Sequence, residues 1–215
     1  MLKIQIITLF PDMFKGVLGS SMLYKASNQA IAGYELINLR DFGKGPRKQV
    51  DDTPYGGGDG MLLMAEPLVQ AIEQAKTNDP KAKVILPTPR GKQYKQADAN
   101  RLAQEAEGLI LICPRYEGYD ERVVKWVDEQ FCIGPYVLTG GEVPAMVIID
   151  SIVRLLPGVL GGEQSAEIES FQENESAIEF PQYTRPEDFR GLRVPEVLLS
   201  GNHQEIKKWR ESNRP

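Results

Sequence analysis

Two rhythms of apolar and polar positions run through this chain. Leu2 to Leu9 is almost unbroken apolar, with Lys3 near its start, and predicts a first buried strand. Gly108 to Cys113 (Gly-Leu-Ile-Leu-Ile-Cys) is a second such run, of the kind found in parallel sheets covered on both faces. Tyr34–Leu39 and Lys83–Leu86 predict two more strands, and Tyr136–Thr139 reads as a further short buried one. Between them the spacing turns helical, from Asp12, over Ser20–Ile31, from Pro67 (Leu68, Ile72 and Ala75 on one face) and over Gln96–Glu107. Asp120 caps a short helix carrying Val123, Val124 and Val127, and Ala145, Ile148, Ile149, Ile152 and Leu156 share the face of another, which Pro157-Gly158 stops. Strand and helix alternate to Leu156, which is α/β with a mainly parallel sheet. Beyond it, residues 159–176 are acidic, lack periodicity and read as a linker between an α/β domain (1–158) and a small, mostly helical unit (177–215). Asn202 and Glu205 make a capping pair for the last helix, Gln204–Ser212.

Three loops stand out. After the predicted strand Tyr136–Thr139, Gly140-Gly141 gives a turn where backbone can approach a ligand without a Cβ in the way, and Glu142 and Pro144 suit the first turn of the next helix. Tyr55-Gly-Gly-Gly-Asp-Gly-Met61 is a second glycine loop, and Pro114-Arg-Tyr-Glu-Gly118 a third unusual one. A lone Gly-Gly is usually a tight turn; three such loops at strand ends favour a ligand cleft.

Composition narrows the chemistry. At 215 residues, 41% hydrophobic and 26% charged, the chain has an ordinary globular composition, and no apolar run approaches membrane-spanning length. A net charge of −5 argues against a globally basic nucleic-acid coat. Charge is uneven, however: from Thr184 on, seven basic residues face five acidic ones, although a solvated helix face explains that almost as well. Cys113 and Cys132 read as thiols of a cytoplasmic protein rather than a disulfide. One histidine, His203, and two distant cysteines leave no zinc constellation. No Gly-x-Ser-x-Gly elbow, P-loop or Gly-x-Gly-x-x-Gly after the first strand is present. What remains is a cleft rich in glycine, proline and backbone groups, suited to reading an adenine edge and to a reaction in which a cofactor carries the hard chemistry.

Val50-Asp-Asp-Thr-Pro-Tyr-Gly-Gly-Gly-Asp-Gly-Met61, Arg115-Tyr-Glu-Gly-Tyr-Asp-Glu-Arg122, Ile133-Gly-Pro-Tyr-Val-Leu-Thr-Gly-Gly-Glu142, Tyr183-Thr-Arg-Pro186 and Val197-Leu-Leu-Ser-Gly-Asn-His203 together resemble one family. It is the bacterial tRNA (guanine-N1)-methyltransferases of the SPOUT superfamily, which modify the guanosine 3′-adjacent to the anticodon, and the match runs from Ile4 to Arg210.

The resemblance implies a deep trefoil knot in the C-terminal half of the α/β domain, a short tRNA-binding second domain and a homodimer with a shared active site. S-adenosyl-L-methionine would sit among Thr88, Pro89, Pro114, Tyr116, Glu117, Gly118, Ile133, Gly134, Pro135, Tyr136, Val137, Leu138, Gly140, Gly141 and Pro144. Guanine N1 carries a proton and is a poor nucleophile, so the reaction needs a base at N1 and a cation or donor at O6. The positions matching the family's base and arginine are Glu169 and Arg154; Asp51, Gly60 and Ser200 match substrate contacts, and Glu117 a glutamate linked to Mg2+. Lys44, Arg47 and Lys48 suit phosphate contacts, or are an exposed basic turn.

The bland readings are an Arg154–Asp150 pair one helical turn apart, Trp209 as a packing anchor and His203 as a structural residue. The chain departs from the family in having Glu169 for aspartate and Pro114 for glycine. The rival readings are a weak or inactive knot-fold RNA-binding protein and a methyltransferase for another RNA.

Overall fold

The computed structural model describes residues 1–161, 170–171 and 177–214. The chain divides into two compact units, Met1–Gly161 and Gly162–Pro215. In chain order the first holds β1 (Leu2–Thr8), α1 (Asp12–Leu18), α2 (Ser21–Asn28), β2 (Ala32–Asn38), β3 (Asp51–Asp52), β4 (Leu62–Leu63), α3 (Ala65–Asn78), β5 (Lys83–Gln93), α4 (Gln96–Glu105), β6 (Gly108–Ile112), β7 (Glu129–Cys132) and α5 (Glu142–Val153). Five strands form one sheet in the order β2-β1-β6-β5-β7, every pairing parallel.

Period-two alternation sends each strand's side chains to two cores. Ile4, Ile6, Ile85, Leu109 and Leu111 pack on one face with Phe14, Leu102, Ile148 and Ile152 from the helices α1, α4 and α5. Ile7, Val84, Leu86, Ile110 and Ile112 pack on the other with Leu68 and Ile72 of α3. The continuous apolar runs of β1 and β6 follow from this double covering. Within β1 Gln5 is polar yet fully buried, and its amide donates to Ala75 O at 3.0 Å.

Two expectations need correction. Tyr136–Thr139 is no buried strand: Val137 is 89% exposed, and Tyr136 N turns back onto Gly134 O at 2.9 Å. The strand is the preceding β7, whose Glu129 pairs with Arg101 through two contacts of 2.5 and 3.0 Å. A sheet edge tolerates such charge, which hid the strand from hydropathy. The strand expected over Lys83–Leu86 does not end there: β5 runs on to Gln93 through an interruption, its pairing with β7 breaking after Pro87 and resuming at Lys92. Prolines cannot donate to a ladder, so the strand bulges and then re-pairs. Asp120 does cap the expected short helix, a 3-10 segment over Glu121–Trp126, accepting from Arg122 N at 2.9 Å. Both cysteines are free thiols. Among the described residues no helix is long and apolar enough to cross a membrane.

The second unit holds a hairpin, β8 (Asp188–Phe189) and β9 (Leu192–Arg193), then α6 (Glu196–Leu199) and α7 (His203–Ser212). Asn202 caps α7 by accepting from Gln204 N and Glu205 N. Trp209 packs edge-on against Tyr183 at 6.2 Å, as a packing anchor would.

Candidate functional site

The C-terminal ends of β5, β6 and β7 open onto a cleft of about 580 Å³. Ligands of open α/β sheets bind at such strand ends. The bulge in β5 brings Thr88 and Pro89; the loop after β6 brings Pro114, Tyr116, Glu117 and Gly118. The segment after β7 brings Ile133, Gly134, Tyr136, Val137, Leu138, Gly140 and Gly141, and α5 adds Pro144. Pro135 belongs to the same segment but does not line the cleft.

Close backbone approach builds the walls. Gly141 N donates to Pro114 O at 2.7 Å, tying the glycine turn to the end of β6. A Cβ on Gly141 would lie 2.7 Å from Cys113 Cα, and one on Gly140 2.6 Å from Arg115 Cδ. Tyr116 adopts a left-handed φ of +61°, a strained choice for a non-glycine residue that turns the loop back along the cleft. Burial, reinforced by the Asp51 carboxylate and opposed by Arg40, raises the pKa of its phenol.

Behind the glycine turn, Glu142 is only 1% exposed. Its Oε1 accepts from Thr8 Oγ1 at 2.9 Å, and its Oε2 lies 2.8 Å from Arg115 Nε, with the N–H pointing off that line. Burial, with the Glu142 carboxylate nearby, pushes the Cys113 thiol well above its ordinary pKa and keeps it protonated.

The triple-glycine loop is sewn to the 114–120 loop. Glu117 N donates to Met61 O at 3.0 Å, Leu63 N to Gly118 O at 2.9 Å, and Asp120 N to Leu63 O at 2.9 Å. Gly60 lies so near Glu117 that a Cβ would come within 2.5 Å of its Cγ, and Asp51 on β3 interacts with Tyr116. Both are therefore placed beside the cleft. Lys48 pairs with Asp41 at 2.7 Å and Lys44 with Glu66, while Arg47 is exposed in the same turn. Arg154 follows the last residue of α5, roughly 18 Å of helix from Glu142 at its start, and is not among the cleft's residues. Ser200 belongs to the second unit, where its Oγ donates to Val197 O at 2.8 Å. Glu169 lies outside the described residues. Among the described residues no three His, Cys, Asp or Glu side chains converge as a metal group.

Several residues of the cleft carry no signal of their own in the sequence. Arg115 opens the Arg115–Arg122 motif, but its partner Glu142 is distant in the chain. Arg90, Tyr119 and Glu121 also line the cleft. Arg90 Nη2 lies 2.6 Å from the Glu121 carboxylate, and its guanidinium 5.7 Å from the Tyr119 ring centre.

Residues 2–215 match the family described as tRNA (Guanine-1)-methyltransferase TrmD. A tRNA (guanine-N(1)-)-methyltransferase of Geobacillus kaustophilus is 51% identical over 98% of this chain and 85% of its own. One from Geotalea uraniireducens is 53% identical over 97% and 84%. The crystal structure of tRNA (m1G37) methyltransferase from Aquifex aeolicus superposes with a TM-score of 0.81 at 37% identity, covering 97% of this chain and 87% of that one.

Proposed function

The chain belongs to the tRNA (guanine-1)-methyltransferase family, and on that premise we propose that it methylates N1 of the guanosine 3′-adjacent to the anticodon of tRNA, using S-adenosylmethionine, as a cytoplasmic homodimer. The observation that carries this reading is the glycine-walled cleft at the ends of β5, β6 and β7. S-adenosylmethionine, when bound, supplies a methyl group on a sulfonium. The cleft suits such a donor: its walls at Gly140 and Gly141 have no room for side chains, and Leu138, Ile133 and Pro144 give apolar cover. Main-chain groups of the 133–141 segment would orient the adenine, and Tyr116 with Gly118 would keep water from the reacting face.

Two side chains divide the proton and charge work at the guanine. The Glu169 carboxylate takes the N1 proton, and Arg154 donates to O6 as negative charge gathers there. Within one subunit Arg154 stands at the far end of α5 from the cleft, so the reading takes these groups from the partner subunit. Asp51 and Gly60, beside the cleft, would border the guanosine, while Lys44, Arg47, Lys48 and the second unit with Ser200 would hold the rest of the tRNA. The described residues do not gather a Mg2+ ligand set around Glu117, and no step is assigned to that ion. The deep trefoil knot is part of the same proposal. In its support, the chain leaving β7 at the sheet edge returns across the ends of β6 and β1 to bond Pro114 and Thr8.

The test is methyl incorporation from labelled S-adenosylmethionine into a tRNA transcript with guanosine after its anticodon. Transfer is expected for the wild type and is expected to vanish in Glu169→Gln. Full-rate transfer by that variant would remove Glu169 from the base role. A gel shift with no incorporation would leave an RNA-binding protein.

A further inference from the structure

We propose that Glu142 is a positioning residue: acting through Arg115, it holds the Gly140–Gly141 turn and the Pro114–Gly118 loop in the one arrangement that admits the methyl donor. This rests on the reading of the cleft as the donor's site. An acid in the first turn of a helix normally faces water, where the helix dipole favours it modestly. Glu142 is instead buried, with Oε1 hydrogen-bonded to Thr8 and Oε2 in ion-pair contact with Arg115 without a formed hydrogen bond. Thr8, the last residue of β1, donates to Oε1 at 2.9 Å while its own Oγ1 accepts from Phe10 N at 2.9 Å.

Arg115 is the other half of the device. Its Nε faces Glu142 Oε2 at 2.8 Å, and its Nη1 donates to Thr139 O at 3.2 Å. Its Nη2 touches Met13 Sδ, and the guanidinium lies 4.4 Å from the Phe10 ring centre. One side chain thus spans the 114–118 loop, the residue before the glycine turn, and α1. Gly140 can only pass because it has no Cβ to strike that side chain. Without its carboxylate the half-buried guanidinium would lose its anionic partner, and a charge so placed is relieved by swinging toward water. The turn and the loop it braces would move with it. Arg115 lines the cleft, whereas Glu142 does not, so the effect of Glu142 on the donor passes through Arg115.

The experiment is calorimetric titration of the full-length protein with S-adenosylhomocysteine, alongside thermal unfolding. Glu142→Gln keeps an acceptor for Thr8 but loses the charge; it is expected to weaken binding at least ~10-fold, the scale of one charge-assisted contact. The double variant Glu142→Gln/Arg115→Met removes both charges and is expected to regain melting temperature without regaining ligand affinity, a split that a purely structural role would not give. If Glu142→Gln does not fold, Thr8→Val carries the test, with an expected weakening of about threefold. A folded Glu142→Gln or Thr8→Val that binds with wild-type affinity, or a double variant whose affinity recovers with its stability, overturns the proposal while leaving the cleft's assignment standing. Wild-type protein that binds no S-adenosylhomocysteine overturns both.

Discussion

At Gly56, Gly57 and Gly58 the backbone φ is +90°, +79° and +121°, and a Cβ at any of the three would meet nothing within 4 Å. At Gly141 the reverse holds. Its φ of −82° and ψ of −7° suit any residue, yet a Cβ would lie 2.7 Å from Cys113 Cα. The first loop uses glycine for conformation and the second for space. Gly60 combines both demands, with φ of +88° and Glu117 Cγ in the way. The two stretches read alike in sequence, but a methyl group added to each probes a different physical quantity. Conformational strain is local and spends itself on stability, whereas a backbone clash in the cleft wall displaces the groups that bind.

The largest effect is therefore expected at Gly141→Ala. The obstructing atoms are backbone and a proline ring, neither of which can swing aside. Overpacking of this kind costs about 1–3 kcal/mol, and if it falls on the wall a weakening of S-adenosylhomocysteine binding by up to ~100-fold follows. Calorimetry reads the affinity, and wild-type binding by a folded Gly141→Ala would show that the wall can yield. Gly140→Ala comes next. Its obstacle is the Arg115 side chain, flexible in principle but pinned by Glu142 and Thr139. A loss of about tenfold is expected, and it should shrink in an Arg115→Met background, since the methyl group and the guanidinium compete for the same space. Equal losses in both backgrounds would break the assignment of the clash.

Gly57→Ala sharpens the contrast from the other side. Forcing an L-residue to positive φ costs roughly 1 kcal/mol. The expected result is a lowered denaturation midpoint with S-adenosylhomocysteine affinity unchanged. Asparagine tolerates that conformation better than alanine, so Gly57→Asn should lose less. A variant whose ligand affinity falls while its stability holds would mean that this loop, too, forms part of the wall.

What could be read from the sequence follows the same division. The runs of β1 and β6 were legible because strands covered on both faces must be apolar throughout. The glycine turn was legible as part of a strand-end cleft only in company with two other unusual loops, since a lone Gly-Gly is usually a tight turn. Edge strand β7 was not, because its Glu129 is satisfied by Arg101 on α4 and its exposed side relaxes the demand for apolar residues. Nor was the buried state of Glu142. A first-turn acid looks the same in sequence whether it faces water or an arginine brought from another loop. Pairing of buried charges depends on tertiary contacts, and hydropathy carries no record of them.

Among the three glycines of the cleft wall, Gly134→Ala should have the smallest effect and gives the finest resolution. Here too a Cβ meets an obstacle, but that obstacle is the Tyr136 ring, attached to a residue that is 55% exposed and free to rotate toward solvent. The phenol donates only a long bond, 3.4 Å to Ile133 O, so little holds the ring in place. Moving it costs on the order of one weak hydrogen bond, and the expected change in ligand affinity is about threefold or less. Pairing the change with Tyr136→Ser should remove even that, because the clash then has no partner. Non-additivity in this pair with additivity between Gly134→Ala and Gly57→Ala, read by the same calorimetry, would establish that the wall yields wherever a side chain blocks it and resists only where backbone does. A loss at Gly134 as large as that at Gly141 would erase the distinction, since it would mean that the ring is as fixed as the chain itself.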